Sequence, residues 1–188
     1  MNADATRMNV RQDRSLNVPG VAPADFFGVR SSALNTAHPL FAPAIAFVDL
    51  ETTGTTPTRD RVTEIGIVRV EEGELVEEWS TLVNPECPIP EDIQALTGIT
   101  NAMVRDAPTF AQVRRDVQER LEGHLFVAHN ARFDYGFLRR EFERPGFKYL
   151  ARTLCTVRLS RRLYPGGAHA LDSLIGRPPL ECAARTRA

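Results

Sequence analysis

Apolar residues along this chain fall into runs whose spacing changes character partway. Ile45 to Leu50 is apolar except for Asp49, and Glu51 follows directly. Val62 to Val70 alternates, and Glu74 to Val83 follows across a turn at Glu72-Gly73. Period-two runs of this length predict strands, and their short connections predict an antiparallel meander. Asn84 to Pro90 carries three prolines and reads as a loop, after which Glu91 to Leu96 reads as a short helix closed by Gly98. Phe110, Val113, Val117 and Leu121 then recur on one helical face behind Thr109-x-x-Gln112, a capping-box spacing, and Gly123 ends the run. Leu125 to Ala128 is a short apolar strand. Asn130 is placed to cap a helix from Ala131 to Arg144, with Phe133, Phe137 and Phe142 inward and Pro145-Gly146 as the stop. Thr153 to Thr156 reads as one more strand, Val157 to Leu163 as a short helix, and Leu171 to Ile175 as helical after the Tyr164-Pro165-Gly166-Gly167 turn. Antiparallel strands followed by strands alternating with helices predict a mixed α/β sheet. Residues 1 to about 43 sustain neither period and read as a mobile tail ahead of a domain over 44–188. Phe26-Phe27 is the apolar pair in that tail, either a docking point or without consequence.

Composition narrows this only a little. A chain of 188 residues, 43% hydrophobic and 25% charged, suits one domain plus a tail. The net charge of -1 hides an asymmetry: Glu71 to Gln94 holds eight acidic residues and no Lys or Arg, whereas Arg139 to Arg162 holds eight basic residues and two acidic ones. Such a split suits a basic face for a polyanion as well as it suits scattered surface arginines. Cys87, Cys155 and Cys182 are odd in number and without a Cys-x-x-Cys spacing, which favours reduced thiols over a disulfide frame. Leu40 to Val48, the longest apolar run, is broken by Pro43 and too short to span a bilayer. The expectation is a soluble, cytoplasmic protein with no membrane partner.

The chemistry starts at the end of the first strand. Side chains alternate faces along a strand, so Asp49 and Glu51 project from the same side. Two carboxylates a few ångströms apart there repel by about 3 to 4 kcal/mol at an effective dielectric of about 20. A hard divalent cation such as Mg2+ or Mn2+ would offset that, since it binds through one or two carboxylates plus phosphate oxygens. A two-metal phosphodiester site needs a further carboxylate. Asp134 is the candidate, because it follows a strand end by a few residues and parallel neighbours bring their ends together. Taken singly, each of these acids is what an ordinary solvated strand end or helix start carries.

Taken together they carry a resemblance. Phe47-Val48-Asp49-Leu50-Glu51-Thr52-Thr53-Gly54, Thr63-Glu64-Ile65-Gly66, Ala95-Leu96-Thr97-Gly98-Ile99 and Val127-Ala128-His129-Asn130-Ala131-Arg132-Phe133-Asp134 occur in the order found in the DEDD exonucleases. The chain resembles their DEDDh-type, DnaQ-like members, similar to the proofreading epsilon subunit of bacterial DNA polymerase III. The resemblance implies an RNase H-like fold: a mixed five-stranded sheet, three antiparallel strands leading, with flanking helices. It implies a metal-dependent 3'-5' exonuclease that releases 5'-mononucleotides from the 3' end of single-stranded DNA, in proofreading or repair. Asp49, Glu51 and Asp134 would ligate two Mg2+ or Mn2+ ions; Leu50, Thr52, His129 and Phe133 would meet the terminal nucleotide, Phe133 being equally well a core residue. Glu64 would be a carboxylate supporting the ligands, or a strand residue facing water. A DNA polymerase or repair complex is the implied partner. RNA as the substrate and a catalytically impaired nucleic-acid-binding module are the alternatives.

The family's third motif, a His followed five residues later by Asp, does not match. His169 is followed at that distance by Leu174, and Tyr164 fails the tyrosine variant, with Ala168 four residues on. His169 to Leu174 instead resembles the segment before the motif, which would fall near Ala184 to Ala188, with Thr186 near the expected His. On this reading the domain is truncated at its C-terminus, lacking the general base, one ligand and the final helix. A missing base costs about 10² to 10⁴-fold in rate. Substitution by His169 or Asp172 is the alternative.

Overall fold

The computed structural model describes residues 44–175. The expected tail over 1–43, Phe26 and Phe27 within it, and the expected third-motif position at Ala184 to Ala188 lie outside the described residues.

Five strands form one sheet: β1 (Ile45–Thr52), β2 (Val62–Glu71), β3 (Glu74–Leu82), β4 (Leu125–Ala128) and β5 (Thr153–Cys155). Their order is β3-β2-β1-β4-β5. The first three are antiparallel, and β4 and β5 run parallel to β1. This is the mixed sheet of an RNase H-like fold. The β2–β3 connection is tight because Glu72 and Gly73 both take left-handed backbone, φ 53° and 87°, as a type I′ turn requires.

β1 lies at the centre, and its two faces differ. Ala46, Val48 and Leu50 point into the main core with Ile65 and Ile67 of β2. Onto that face pack α3 (Phe110–Leu121), through Phe110, Val113, Val117 and Leu121, and α4 (Ala131–Glu143), through Ala131, Phe137, Leu138 and Phe142. Phe110 meets Phe142 edge-on at 5.3 Å between ring centres. Truncating a fully buried ring such as Phe137 would cost about 3 to 5 kcal/mol. On the other face Ile45, Val70 and Val127 cluster with Phe47, Leu125 and Leu154, all from strands. Asp49 and Glu51 continue this second, thinner face, so the chain can seat charge there without burying it in the main core.

The remaining helices are α1 (Glu91–Thr97), α2 (Asn101–Val104), α5 (Thr156–Leu163) and α6 (Leu171–Ile175). The capping box before α3 forms, with the Thr109 N–H donating to Gln112 Oε1 at 2.7 Å. Two expectations change. The one-turn α2 was not foreseen; the Thr100 hydroxyl accepts from the Met103 N–H at 3.3 Å and starts it. Asn130 stands at the head of α4 in left-handed backbone (φ 72°) with no side-chain cap, and its carbonyl accepts from the Phe133 N–H at 2.8 Å. Asn tolerates that conformation better than most residues. Among the described residues no helix is long and apolar enough to cross a membrane.

Candidate active site

β1 ends where its two antiparallel and parallel neighbours also deliver polar groups. Asp49 lies opposite Gly66 of β2, and Glu51 lies opposite Glu64. A bulge follows at once, so Thr52 pairs with Val62 rather than Thr63. Bulges re-aim side chains and end pairing, and this one separates the acidic stretch from the turn beyond it. On the other side Phe47 pairs with Val127 of β4; continuing that register by two residues sets His129 level with Asp49. Asp134 occupies the first turn of α4 and is 3% exposed.

These carboxylates sense one another. Burial, then the charges of Asp49 and Glu64, push Glu51 from the usual 4.5 up to about 7. Burial, then the charge of Asp49, raises Asp134 from the usual 3.8 to about 7, with Glu51 adding to it against the backbone N–H groups of Asp134 and Leu50. Asp49 is raised by burial, opposed by the Leu50 N–H and by His129. Glu64 is raised by burial and then by Asp49. Asp49 is nevertheless open to solvent.

His129 is oriented from the far side. Its Nδ1 lies 3.0 Å from Thr156 Oγ1, and that hydroxyl donates to the Ala128 carbonyl at 3.4 Å. Leu50 is 6% exposed and its side chain belongs to the main core; what it offers the site is its N–H, between Asp49 and Asp134. Thr52 is equally buried, and its hydroxyl donates to the Gly54 carbonyl at 2.6 Å, closing the turn after Glu51. Phe133 is half-buried against Phe137, ring centres 4.8 Å apart.

The donor set suits a hard divalent cation. All of its strong ligands are carboxylate oxygens, and their mutual repulsion is what such an ion relieves. Among the described residues no group of three or more His, Cys, Asp or Glu side chains stands ready to hold a metal ion. An Mg2+ site does not need one, because that ion keeps waters and takes one or two carboxylates plus phosphate oxygens.

Sequence reasoning missed several groups that neighbour the site. Thr156 lies 27 residues from His129, and Arg61 lies 80 from Glu141, so no local signature names either pair. Gly66, noted only within a motif, leaves the space beside Asp49 free of a side chain. His169, weighed as a substitute base, is hydrogen-bonded through Nδ1 to the buried Ser160 Oγ at 2.8 Å, and Asp172 is exposed in α6. The basic stretch is partly spent within its own helix: Arg139 and Arg140 pair with Glu143, and Arg144 with Glu141. Arg158, Arg161 and Arg162 of α5 stand exposed.

The chain is similar to known proteins over this same region. A family model described as exonuclease, RNase_T, matches residues 46–183. The 3'-5' exonuclease DinG of Bacillus subtilis is 41% identical over 121 residues, 63% of this chain and 13% of that protein. The DNA polymerase III subunit epsilon-like protein of Rhodobacter capsulatus is 40% identical over 157 residues, 81% of this chain and 22% of that protein. The match thus spans less than a quarter of either relative's length. Among solved structures, exonuclease X in complex with 5' overhanging duplex DNA superposes with a TM-score of 0.58 at 32% identity, covering 69% of this chain and 70% of that one. With the family model spanning most of its residues, the chain belongs to the RNase_T exonuclease family.

Proposed function

We propose that this domain is a divalent-metal-dependent 3'-5' exonuclease acting on DNA ends, with Asp49, Glu51 and Asp134 as the residues that would hold Mg2+ or Mn2+. The observation that carries the proposal is the convergence of charge: three acids from β1 and α4, two of them raised to about 7, at one end of the sheet. Bound ions would lower the pKa of an attacking water and neutralise charge on the phosphodiester.

The protein's own groups supply the rest. The Leu50 N–H favours the ionised form of both Asp49 and Asp134, against the larger effect of burial, and bound cations would complete their ionisation. Glu64, across from Glu51, is a further carboxylate beside the ligands, and its charge adds to the negative field that a cation would relieve. His129, hydrogen-bonded through Nδ1 to Thr156 Oγ1, would present Nε2 toward the substrate side, and the half-buried Phe133 ring offers a surface for the terminal base. The exposed arginines of α5 follow directly from Thr156 and would meet the backbone of the incoming strand. The 3'-5' direction is supported by the name of the DinG relative, DNA by the duplex bound to exonuclease X, and a polymerase partner by the DNA polymerase III subunit epsilon-like relative. The experiment is digestion of matched DNA and RNA oligonucleotides, each labelled at the 3' or the 5' end, with Mg2+ or Mn2+. Labelled mononucleotides should appear first from 3'-labelled DNA; first release from the 5' label, or preference for RNA, contradicts it.

A further inference from the structure

Resting on that reading of the carboxylates, we propose that Arg61 and Glu141 are positioning residues: together they strap α4 to the β1–β2 end and so set where Asp134 stands relative to Asp49 and Glu51. Glu141 is 2% exposed, yet ionised partners surround it. Arg61 Nε donates to Glu141 Oε1 at 2.8 Å and Arg61 Nη2 to Oε2 at 3.2 Å, a two-pronged grip. The Val62 N–H donates to the same Oε1 at 3.4 Å. Arg61 is also zipped to the end of β1 by its backbone: the Thr53 N–H donates to the Arg61 carbonyl at 2.8 Å, and the Arg61 N–H donates to Thr53 Oγ1 at 3.0 Å. One residue therefore holds the strand end by its main chain and the helix by its side chain.

The helix side completes the lever. Asp134 and Glu141 are seven residues apart, two turns, which in an α-helix brings them to nearly the same face about 10 Å apart along the axis. A shift of Glu141 is then a shift of Asp134. Arg144, one turn further, donates to the carbonyls of Pro57 at 3.3 Å and Asp60 at 3.2 Å, so the turn after Glu51 is gripped at a second point. Neither Arg61 nor Glu141 is among the groups that shift Asp49, Glu51 or Asp134 electrostatically. Their effect on the site is through geometry. Replacing both by apolar residues of similar volume should leave the fold intact, since well-packed apolar pairs commonly substitute for buried ion pairs, while removing the directional grip.

The test uses Mn2+ alone as probe, followed by electron paramagnetic resonance on the full chain, with near-ultraviolet circular dichroism as the control for packing. The wild type, Asp49→Asn/Asp134→Asn, Arg61→Met/Glu141→Leu and Arg61→Lys are compared. The strap requires at least tenfold weaker Mn2+ binding in the Met/Leu variant with an unchanged near-ultraviolet spectrum. Should that variant misfold, Arg61→Lys carries the test: lysine keeps the charge but not the two-pronged geometry, and at least threefold weaker binding is required. Wild-type affinity in a folded Met/Leu variant, or in Arg61→Lys when Met/Leu misfolds, overturns the strap and leaves the carboxylate site standing. Wild-type affinity in the Asn/Asn variant overturns the site itself, and the strap's role with it.

Discussion

Glu51 and Glu64 face each other directly across the antiparallel β1–β2 pair. Like charges in that position destabilise a sheet, by roughly 0.2 to 1 kcal/mol, and Glu64 adds, after burial and the charge of Asp49, to the raised pKa of Glu51. Glu64→Gln should therefore raise the melting temperature of the metal-free protein at pH 8 and lower the Glu51 pKa from about 7. Thermal melts in chelator, and NMR titration of the Glu51 carboxyl, measure the two effects.

Metal-free stability should fall as pH rises. The folded protein holds protons on Glu51 and Asp134 up to about 7, where the unfolded chain has released them near the usual 4.5 and 3.8. Between those values the folded state binds more protons, so raising the pH favours unfolding until it passes about 7. Melts in chelator from pH 5 to 8 should decline across that window. Millimolar Mg2+ should flatten the decline, because an ion that binds only the folded state adds stability by mass action.

Gly54→Ala should destabilise the turn that follows Glu51. A methyl group at residue 54 would sit 2.5 Å from Asp60 Oδ2, the oxygen that accepts from the Thr56 N–H at 2.7 Å. Either that bond breaks or the turn moves, and crowding of this kind costs about 1 to 3 kcal/mol. Urea denaturation should show the loss with an unchanged dependence on denaturant.

The exposed Arg158, Arg161 and Arg162 should act as phosphate contacts. They fall at spacings of three and four on α5, hence on one face. Changing all three to Ala should weaken single-stranded DNA binding uniformly across sequences. It should also reduce the slope of log affinity against log salt by about 0.7 for each contact removed. Fluorescence anisotropy at several salt concentrations gives that slope; an unchanged slope rules out the α5 face.

Much of this was legible in the chain, for reasons particular residues make plain. A short apolar run sufficed for β1, alternation for β2, and the period of a strand for Asp49 and Glu51 sharing a face, because that geometry is local. The four-residue α2 was not legible, since one turn is too short to establish a helical period. Asp134 could be linked to Asp49 only through the ordered motifs and the logic of parallel strand ends. Arg61 and Glu141 escaped altogether: they lie 80 residues apart, and nothing near either names the other. The bulge after Glu51 was equally hidden, because register is settled by how two strands meet.

The most direct measurement is hydrolysis of 3'-labelled single-stranded DNA with Mn2+ by the wild type and by Asp49→Asn, side by side with and without excess chelator. The expected result is labelled 5'-mononucleotide from the wild type alone, abolished by chelator and reduced by at least a hundredfold in Asp49→Asn. Release that persists in Asp49→Asn or in chelator, or no release from the wild type, would contradict a metal-dependent exonuclease built on these carboxylates.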